Sequence, residues 1–232
     1  MHPLLILPLA PLLLLQGLYV RKVTPRLPEP PGARSGETGD GPGLRLLVLG
    51  DSAAAGVGAA TQSEALSGQL IQKLAGSRRV AWQLWAANGL NTRQSLDMLE
   101  RAPAGNFDAV VISLGVNDVT GGVSLDAWLR QQQQLAELLR KKFSAHRILF
   151  TPLPPMHHFP ALPQPLRSVL GERAKQFNRA LEDLLRSQAD CQLLAFNLPM
   201  QADYIADDGF HPSAVTYGLW AGVAAKAITP AE

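Results

Sequence analysis

The sequence predicts a three-layer α/β/α domain built on a five-stranded, mainly parallel sheet. From residue 44 onward, short apolar runs alternate with longer segments in which apolar residues recur with a helical period. Most of the short runs are apolar throughout rather than alternating, which is typical of strands covered on both faces. The repeated strand-helix order favours parallel strands joined by right-handed crossovers.

The apolar runs give the five predicted strands, at residues 44–50, 80–87, 108–115, 146–154 and 191–197. Segments of helical period predict five helices between and after them, at about residues 62–75, 92–101, 124–143, 166–188 and 212–228. In the third helix, most of the apolar side chains fall on one stripe with Trp128. Because reactive groups in such folds gather at the carboxyl ends of the strands, a functional motif is expected there.

The composition is that of a globular domain with a full core. Apolar residues make up 47% of the 232 residues and charged residues 17%, which excludes a disordered chain. The net charge is +2, and the part after residue 43 is close to neutral, so the chain is not expected to bind nucleic acid. Cys191 is the only cysteine, which excludes an internal disulfide and a multi-cysteine zinc site.

Residues 1–20 are predicted to form a membrane anchor. The stretch 3–20 carries no charge, and Arg21, Lys22 and Arg26 follow it. As a helix it would be about 27 Å long, close to the roughly 30 Å hydrocarbon core of a bilayer. The basic residues on its carboxyl side predict a cytoplasmic domain, with a periplasmic or extracellular domain as the alternative. A cleaved signal peptide and an apolar tail packed on the domain are the other interpretations.

Residues 21–43 are predicted to be a linker between this anchor and the main domain at 44–232. The segment is rich in proline and glycine and poor in apolar residues. Such a composition is typical of connections that are semi-extended at their proline end and flexible at their glycine end. The linker would hold the domain a short distance from the membrane surface.

The first predicted strand ends in Gly-Asp-Ser at 50–52. This position puts the Ser52 hydroxyl at the carboxyl edge of the sheet, where a nucleophile is expected. Asp51 and Ser52 are also common turn and helix-cap residues, so the tripeptide alone is open to a structural interpretation.

The second and third strands are also followed by residues that suit a site. Gly89 allows its backbone N–H to approach a ligand closely. Asn117 could donate a side-chain hydrogen bond, although Asn117 and Asp118 equally suit an Asx turn.

Asp208 and His211 lie three positions apart, just before the last predicted helix. A bend between them can bring the carboxylate to the imidazole Nδ1 while Nε2 faces outward, which is the orientation that a serine base needs. Alternatively, Asp208 caps a turn and His211 precedes a helix that begins at Pro212.

Together, these motifs resemble the blocks of the SGNH (GDSL) hydrolase family. They are GDS at 50–52, Gly89, GVND at 115–118 and DGFH at 208–211, in that order, and the resemblance covers about residues 44–228. The resemblance implies a flavodoxin-like arrangement of the predicted sheet. It also implies that Ser52 is the nucleophile, that His211 is the general base and that Asp208 orients the histidine.

The resemblance further implies an oxyanion hole formed by the Ser52 N–H, the Gly89 N–H and the Asn117 side-chain amide. Asp51 and Asp118 would be supporting residues. The block around Gly89 reads NGLNT, whereas many relatives carry Gly-Asp-Thr or Gly-Asp-Ser, so this block departs most from the family pattern.

The expected activity is hydrolysis of carboxylic esters, including lysophospholipids or thioesters, through an acyl-enzyme on Ser52. The alternatives are an O-acetyl esterase or acyltransferase acting on a polysaccharide or cell-wall glycan, and a non-catalytic binding module. No cofactor is expected, because the glycines at 50–58 do not match a nucleotide-binding loop. No metal is expected at His157 and His158, which lack a third ligand at suitable spacing. The proline-rich segment 152–165 is expected to form a wall of the acyl pocket.

Overall fold

The computed structural model describes residues 8–196 and 202–229, and this part of the chain contains six strands and eight α-helices. The strands are β1 (Ser35–Thr38), β2 (Gly43–Gly50), β3 (Arg79–Ala86), β4 (Ala109–Ser113), β5 (Arg147–Phe150) and β6 (Cys191–Leu193). The helices are α1 (Ala10–Val23), α2 (Ser52–Ala55), α3 (Leu66–Ala75), α4 (Thr92–Arg101), α5 (Val116–Thr120), α6 (Leu125–Phe143), α7 (Leu166–Leu185) and α8 (Ala214–Ile228). Short 3-10 turns lie at Met156–His158 and Ala202–Tyr204.

The sheet has the order β1-β3-β2-β4-β5-β6. The strands from β2 to β6 are parallel, and only β1 is antiparallel to its neighbour β3. The predicted α/β fold with a mainly parallel sheet is therefore confirmed, with six strands instead of five. Because β3 and β4 lie on opposite sides of β2, the chain changes direction at this central strand, and a crevice opens at its carboxyl end.

The core consists of two apolar layers, one on each face of the sheet. Along β2, Leu47 and Leu49 pack with α4, α6 and α7, whereas Leu46 and Val48 pack with α3 and α8. Successive side chains of a strand point to opposite faces. This double coverage explains why the strands are apolar throughout.

The additional strand, β1, lies in the segment predicted to be a linker. In β1, Ser35 pairs with Gln83 and Thr38 pairs with Val80. All four residues of β1 are exposed, so the strand has no apolar pattern by which hydropathy could predict it. An edge strand is held mainly by backbone hydrogen bonds. Because such bonds tie residues 35–38 to β3, these residues are part of the domain, and the linker prediction does not hold for them.

Three predicted strands are shorter in the structure, and β4 spans only Ala109–Ser113 of its predicted range 108–115. β5 ends at Phe150, because the prolines that follow remove the backbone donors needed to continue a ladder. β6 ends at Leu193, and the last residue of its predicted range, Asn197, lies outside the described residues.

The predicted membrane anchor overlaps α1, while residues 1–7 lie outside the described residues. In residues 8–196 and 202–229, no helix combines the length and apolarity needed to cross a bilayer. Leu13 and Val20 of α1 pack against the apolar core of the domain.

Candidate active site

Ser52 is placed at the carboxyl end of β2 by the turn that begins α2. The carboxylate of Asp51 caps this helix by accepting a hydrogen bond from the Ala53 N–H at 3.1 Å. The helix ends after one turn at Gly56, which has a φ of +91°. The serine side chain is consequently held at the sheet edge and is partly exposed.

A hydrogen-bonded chain joins Ser52, His211 and Asp208. The Ser52 Oγ lies 2.8 Å from His211 Nε2, and His211 Nδ1 lies 2.5 Å from Asp208 Oδ2. With Nδ1 protonated and donating to the carboxylate, Nε2 accepts from the serine hydroxyl. The structure thus brings Ser52 into contact with His211, which lies 159 positions away in the sequence.

Asp208 is fully buried and is held as a carboxylate by the backbone around it. Its Oδ1 accepts hydrogen bonds from the N–H groups of Phe210 and His211, both at 2.9 Å. Burial alone would raise the pKa of Asp208, but the hydrogen bonds from the His211 ring and from these two N–H groups outweigh it, so the pKa lies below its usual value. The charge therefore remains available to orient the imidazole and to stabilise its protonated form.

A glycine allows the serine and histidine loops to meet. At Gly58 the φ is +100°, and an added Cβ would lie 2.3 Å from the Pro212 carbonyl oxygen. No other residue could adopt this conformation at that distance without moving the loop that carries His211. Nearby, the Tyr217 hydroxyl donates to the Val57 carbonyl at 2.6 Å and ties the same loop to α8.

Three N–H donors are expected from the sequence to form an oxyanion hole with Ser52. Within the described part of the chain, the N–H groups of Ser52 and Gly89 donate to no protein acceptor. Gly89 is exposed in a left-handed turn with a φ of +82°. One N–H of the Asn117 amide donates to the Leu90 carbonyl at 2.8 Å, which leaves its second N–H for a ligand.

Asp118 ties together the loops that carry Gly89 and Asn117. It is fully buried and accepts hydrogen bonds from the Thr92 N–H and hydroxyl, at 3.1 and 2.8 Å. Its burial raises its pKa, and the hydrogen bonds from Thr92 offset only part of this rise. Because Thr92 opens α4, the carboxylate also lies at the amino end of a helix, where a negative charge is stabilised.

Asp51 lies beneath the serine and is also buried. Burial raises its pKa to about 6, although the Ala53 N–H, the charge of His211 and the Ser113 hydroxyl act in the opposite direction. Its carboxylate accepts from the Ser113 hydroxyl at 3.3 Å. Asp51 therefore supports the serine turn and links β2 to β4.

A cavity of about 70 Å³ lies beside Ser52, and its walls are mainly apolar. In the segment predicted to form a wall, Pro152, Pro154 and Phe159 do line this cavity. His157 instead packs against α7 at Gly171. The sequence does not single out three other lining residues, because they come from separate segments with no motif: Phe196, Tyr204 and Ile205.

Two residues of the predicted linker brace the loop that carries Gly89. The Glu29 carboxylate accepts from the Asn88 N–H at 2.6 Å and pairs with Arg34 at 2.9 Å. Arg34 also donates to the Ala86 carbonyl. Nothing in the local sequence predicts these contacts, since they join segments that are far apart in the chain.

Comparison with known proteins decides the family. The family model of the GDSL-like lipase/acylhydrolases matches residues 48–219. The chain belongs to this family. GDSL-like lipases and acylhydrolases are hydrolases that act on ester bonds, and the matched range contains both Ser52 and His211. The search of curated proteins found no match.

Solved structures share the fold of this GDSL hydrolase at low sequence identity. A GDSL lipolytic protein from Veillonella parvula is 14% identical with a TM-score of 0.63, over 81% of this chain and 99% of that chain. The lipase Lip_vut3 from a goat rumen metagenome is 18% identical with a TM-score of 0.60, over 79% and 97%. The acetylxylan esterase Axe2 from Geobacillus stearothermophilus is 17% identical with a TM-score of 0.58, over 82% and 95%.

Proposed function

We propose that this GDSL hydrolase cleaves carboxylic esters through an acyl-enzyme on Ser52. The observation that carries the proposal is the 2.8 Å contact between Ser52 Oγ and His211 Nε2, with Asp208 on the other ring nitrogen. A serine hydroxyl is a poor nucleophile until a base accepts its proton, and this geometry supplies that base.

In the first half of the reaction, Ser52 Oγ bonds to the ester carbonyl carbon while its proton passes to His211 Nε2. The carbonyl oxygen becomes negatively charged and accepts hydrogen bonds from the Ser52 and Gly89 N–H groups and the Asn117 amide. Collapse of this intermediate breaks the bond to the leaving alcohol, which takes the proton from His211. Water then repeats the sequence at the acyl-enzyme and releases the carboxylic acid.

Replacement of the nucleophile tests this mechanism. We expect Ser52→Ala to lower hydrolysis of p-nitrophenyl acetate and butyrate by about 1,000-fold or more, because no other group can form the acyl-enzyme. Ser77→Ala is the matched control, since Ser77 is exposed at the opposite, amino end of β3. A fluorophosphonate probe should label the wild type and Ser77→Ala but not Ser52→Ala.

Turnover by Ser52→Ala at the wild-type rate, with its fold intact by circular dichroism, would exclude Ser52 as the nucleophile. Failure of the wild type to hydrolyse any ester or react with the probe would favour a binding module.

The substrate class that we propose is a lipid-like ester such as a lysophospholipid, or a thioester, met at a membrane to which the N-terminal segment attaches the enzyme. The support is the uncharged stretch 3–20 with basic residues after it. We place the domain on the cytoplasmic side because anionic lipids, which attract such residues, are concentrated in the cytoplasmic leaflet. Accessibility of a C-terminal tag to impermeant reagents in intact cells and in lysed cells tests the side of the membrane.

A second candidate substrate is an O-acetyl group on a polysaccharide. The cavity of about 70 Å³ beside Ser52 favours a short acyl group, and one structural relative is an acetylxylan esterase. Release of acetate from acetylated xylan, compared with release of fatty acid from lysophosphatidylcholine, distinguishes the two substrates.

A further inference from the structure

Helix α1 presents three different stripes of side chains. Leu13, Gln16 and Val20 form the stripe that faces the domain, and the two apolar members of this stripe pack against its core. The Gln16 amide donates to the Gln164 carbonyl at 2.6 Å and its oxygen accepts from the Leu166 N–H at 3.0 Å. The helix is thereby fixed to the start of α7, next to the active site.

The second stripe points away from the domain and is apolar. It consists of Leu12, Leu15 and Tyr19, which are 44%, 64% and 60% exposed. Single exposed apolar side chains are ordinary, but a row of them on one helix marks an interaction surface.

Basic residues adjoin this outward stripe and indicate what covers it. Lys22 near the end of α1 and Arg26 after it are exposed, whereas Arg21 borders the space between α1 and the domain. The first 28 residues contain no Asp or Glu. An apolar row with adjacent cations is complementary to a bilayer surface with anionic headgroups, in which acyl chains meet negative charge.

The third stripe borders a groove of about 430 Å³ between α1 and the domain. Leu14, Gly17 and Leu18 form the helix side, and Leu166 and Leu170 are among the residues on the domain side. An added Cβ at Gly17 would meet no atom within 4 Å, so this part of the groove is open. The volume falls in the range of ligand pockets, and the leucine lining suits a hydrocarbon chain.

The groove adjoins the cavity beside Ser52. Phe210 lines both, and Asn117, the expected side-chain donor to the oxyanion, also lines the groove. An ester with its carbonyl at Ser52 can therefore place one long chain along α1, while the smaller cavity accommodates another part of the molecule.

We propose that α1 lies on an anionic membrane surface and forms one wall of a groove that binds the hydrocarbon chain of an amphiphilic ester taken from that membrane. This inference rests on the proposed ester hydrolysis at Ser52 and adds the route by which a lipid reaches it. The helix remains bound to the domain through Gln16, so the active site opens beside the bilayer.

Binding of α1 to a membrane is tested by sedimenting the full chain with phosphatidylcholine vesicles that contain or lack phosphatidylglycerol. We expect the wild type to sediment with the anionic vesicles and Leu15→Glu/Tyr19→Glu to lose about 10-fold or more in partitioning, because two apolar anchors become charged. Lys22→Gln/Arg26→Gln should weaken binding only to the anionic vesicles. All these variants should hydrolyse p-nitrophenyl acetate like the wild type, since none of the changed residues touches Ser52 or His211.

The groove is tested at Gly17, where the chain offers a matched pair. Gly17→Trp fills the open space, and we expect it to lower hydrolysis of lysophosphatidylglycerol about 10-fold while p-nitrophenyl acetate turnover and vesicle binding persist. Gly17→Ala should hydrolyse both esters at the wild-type rate.

Equal vesicle binding by the wild type and Leu15→Glu/Tyr19→Glu would overturn the proposal that α1 binds a membrane. The proposal would also fail if the wild type forms a dimer in the absence of lipid and this variant abolishes the dimer. Unchanged hydrolysis of lysophosphatidylglycerol by Gly17→Trp would overturn the proposal that the groove binds a hydrocarbon chain. If Ser52→Ala hydrolyses esters at the wild-type rate, the proposed function fails, whereas vesicle binding still decides the role of α1.

Discussion

At the scale of single residues, Asp51 performs a structural task at a cost in electrostatic free energy. Its carboxylate caps α2 and bonds the Ser113 hydroxyl, yet it is only 2% exposed. Burial disfavours the charged form, and this raises the pKa of Asp51 to about 6 from an ordinary value of 3.8. The folded protein therefore binds a proton more tightly at this site than the unfolded chain does.

We predict that Asp51→Asn makes the protein relatively more stable as the pH rises. A raised folded-state pKa means that the wild type loses stability between about pH 4 and pH 6, because the buried group must ionise. The isosteric amide retains the cap without the charge. The free energy of unfolding of the variant minus that of the wild type should grow by about 2–3 kcal/mol from pH 4 to pH 7, measured by urea titration. A difference that does not change with pH would contradict the raised pKa.

At the scale of elements, the short segments before β2 support the loop that carries Gly89. The loop after β3 presents Gly89 with little contact of its own, and Glu29 holds the preceding N–H of Asn88 at 2.6 Å. Asp118 fixes the other side of the arrangement through Thr92. These contacts hold the loops that carry Gly89 and Asn117, and in the proposed mechanism they would preorganise both donors toward the oxyanion.

We predict that Glu29→Ala lowers kcat for p-nitrophenyl butyrate by about 10-fold and leaves KM nearly unchanged, because a displaced Gly89 N–H stabilises the transition state less well. Glu29→Gln retains an acceptor oxygen and should recover most of the activity. Glu37→Ala, in the neighbouring β1, is the matched control and should behave as the wild type does. Equal losses in Glu29→Ala and Glu37→Ala would indicate a general loosening of the edge instead.

At the scale of the whole molecule, the two apolar layers share the central strand and so depend on each other. Leu46 and Leu47 are neighbours in β2, both fully buried, but they face opposite layers. Removing either side chain leaves a cavity in one layer and loosens the strand that supports both.

We predict that Leu46→Ala and Leu47→Ala each lower the free energy of unfolding by about 2–5 kcal/mol. Each variant should still unfold in one transition, because the layers cannot separate without breaking β2. Far-ultraviolet circular dichroism and tryptophan fluorescence in urea should give coincident curves, since Trp128 lies in one layer and Trp220 in the other. Two separate transitions would show that the layers fold independently.

The sequence alone determined the parallel sheet, the main helices and the residues of the family motifs. The strands are apolar on both faces, and helices such as Thr92–Arg101 carry their own capping residues, so these signals are local. The short motifs that contain Ser52, Asp208 and His211 can likewise be found without the structure.

Only the tertiary structure decided how distant segments meet. The contact between Ser52 and His211 joins residues 159 positions apart, and that between Glu29 and Asn88 spans 59 positions. The edge strand β1 and the docking of α1 beside the active site also depend on partners elsewhere in the chain. Such contacts follow from strand order and from backbone pairing, which leave no periodic pattern of side chains in the segments that make them.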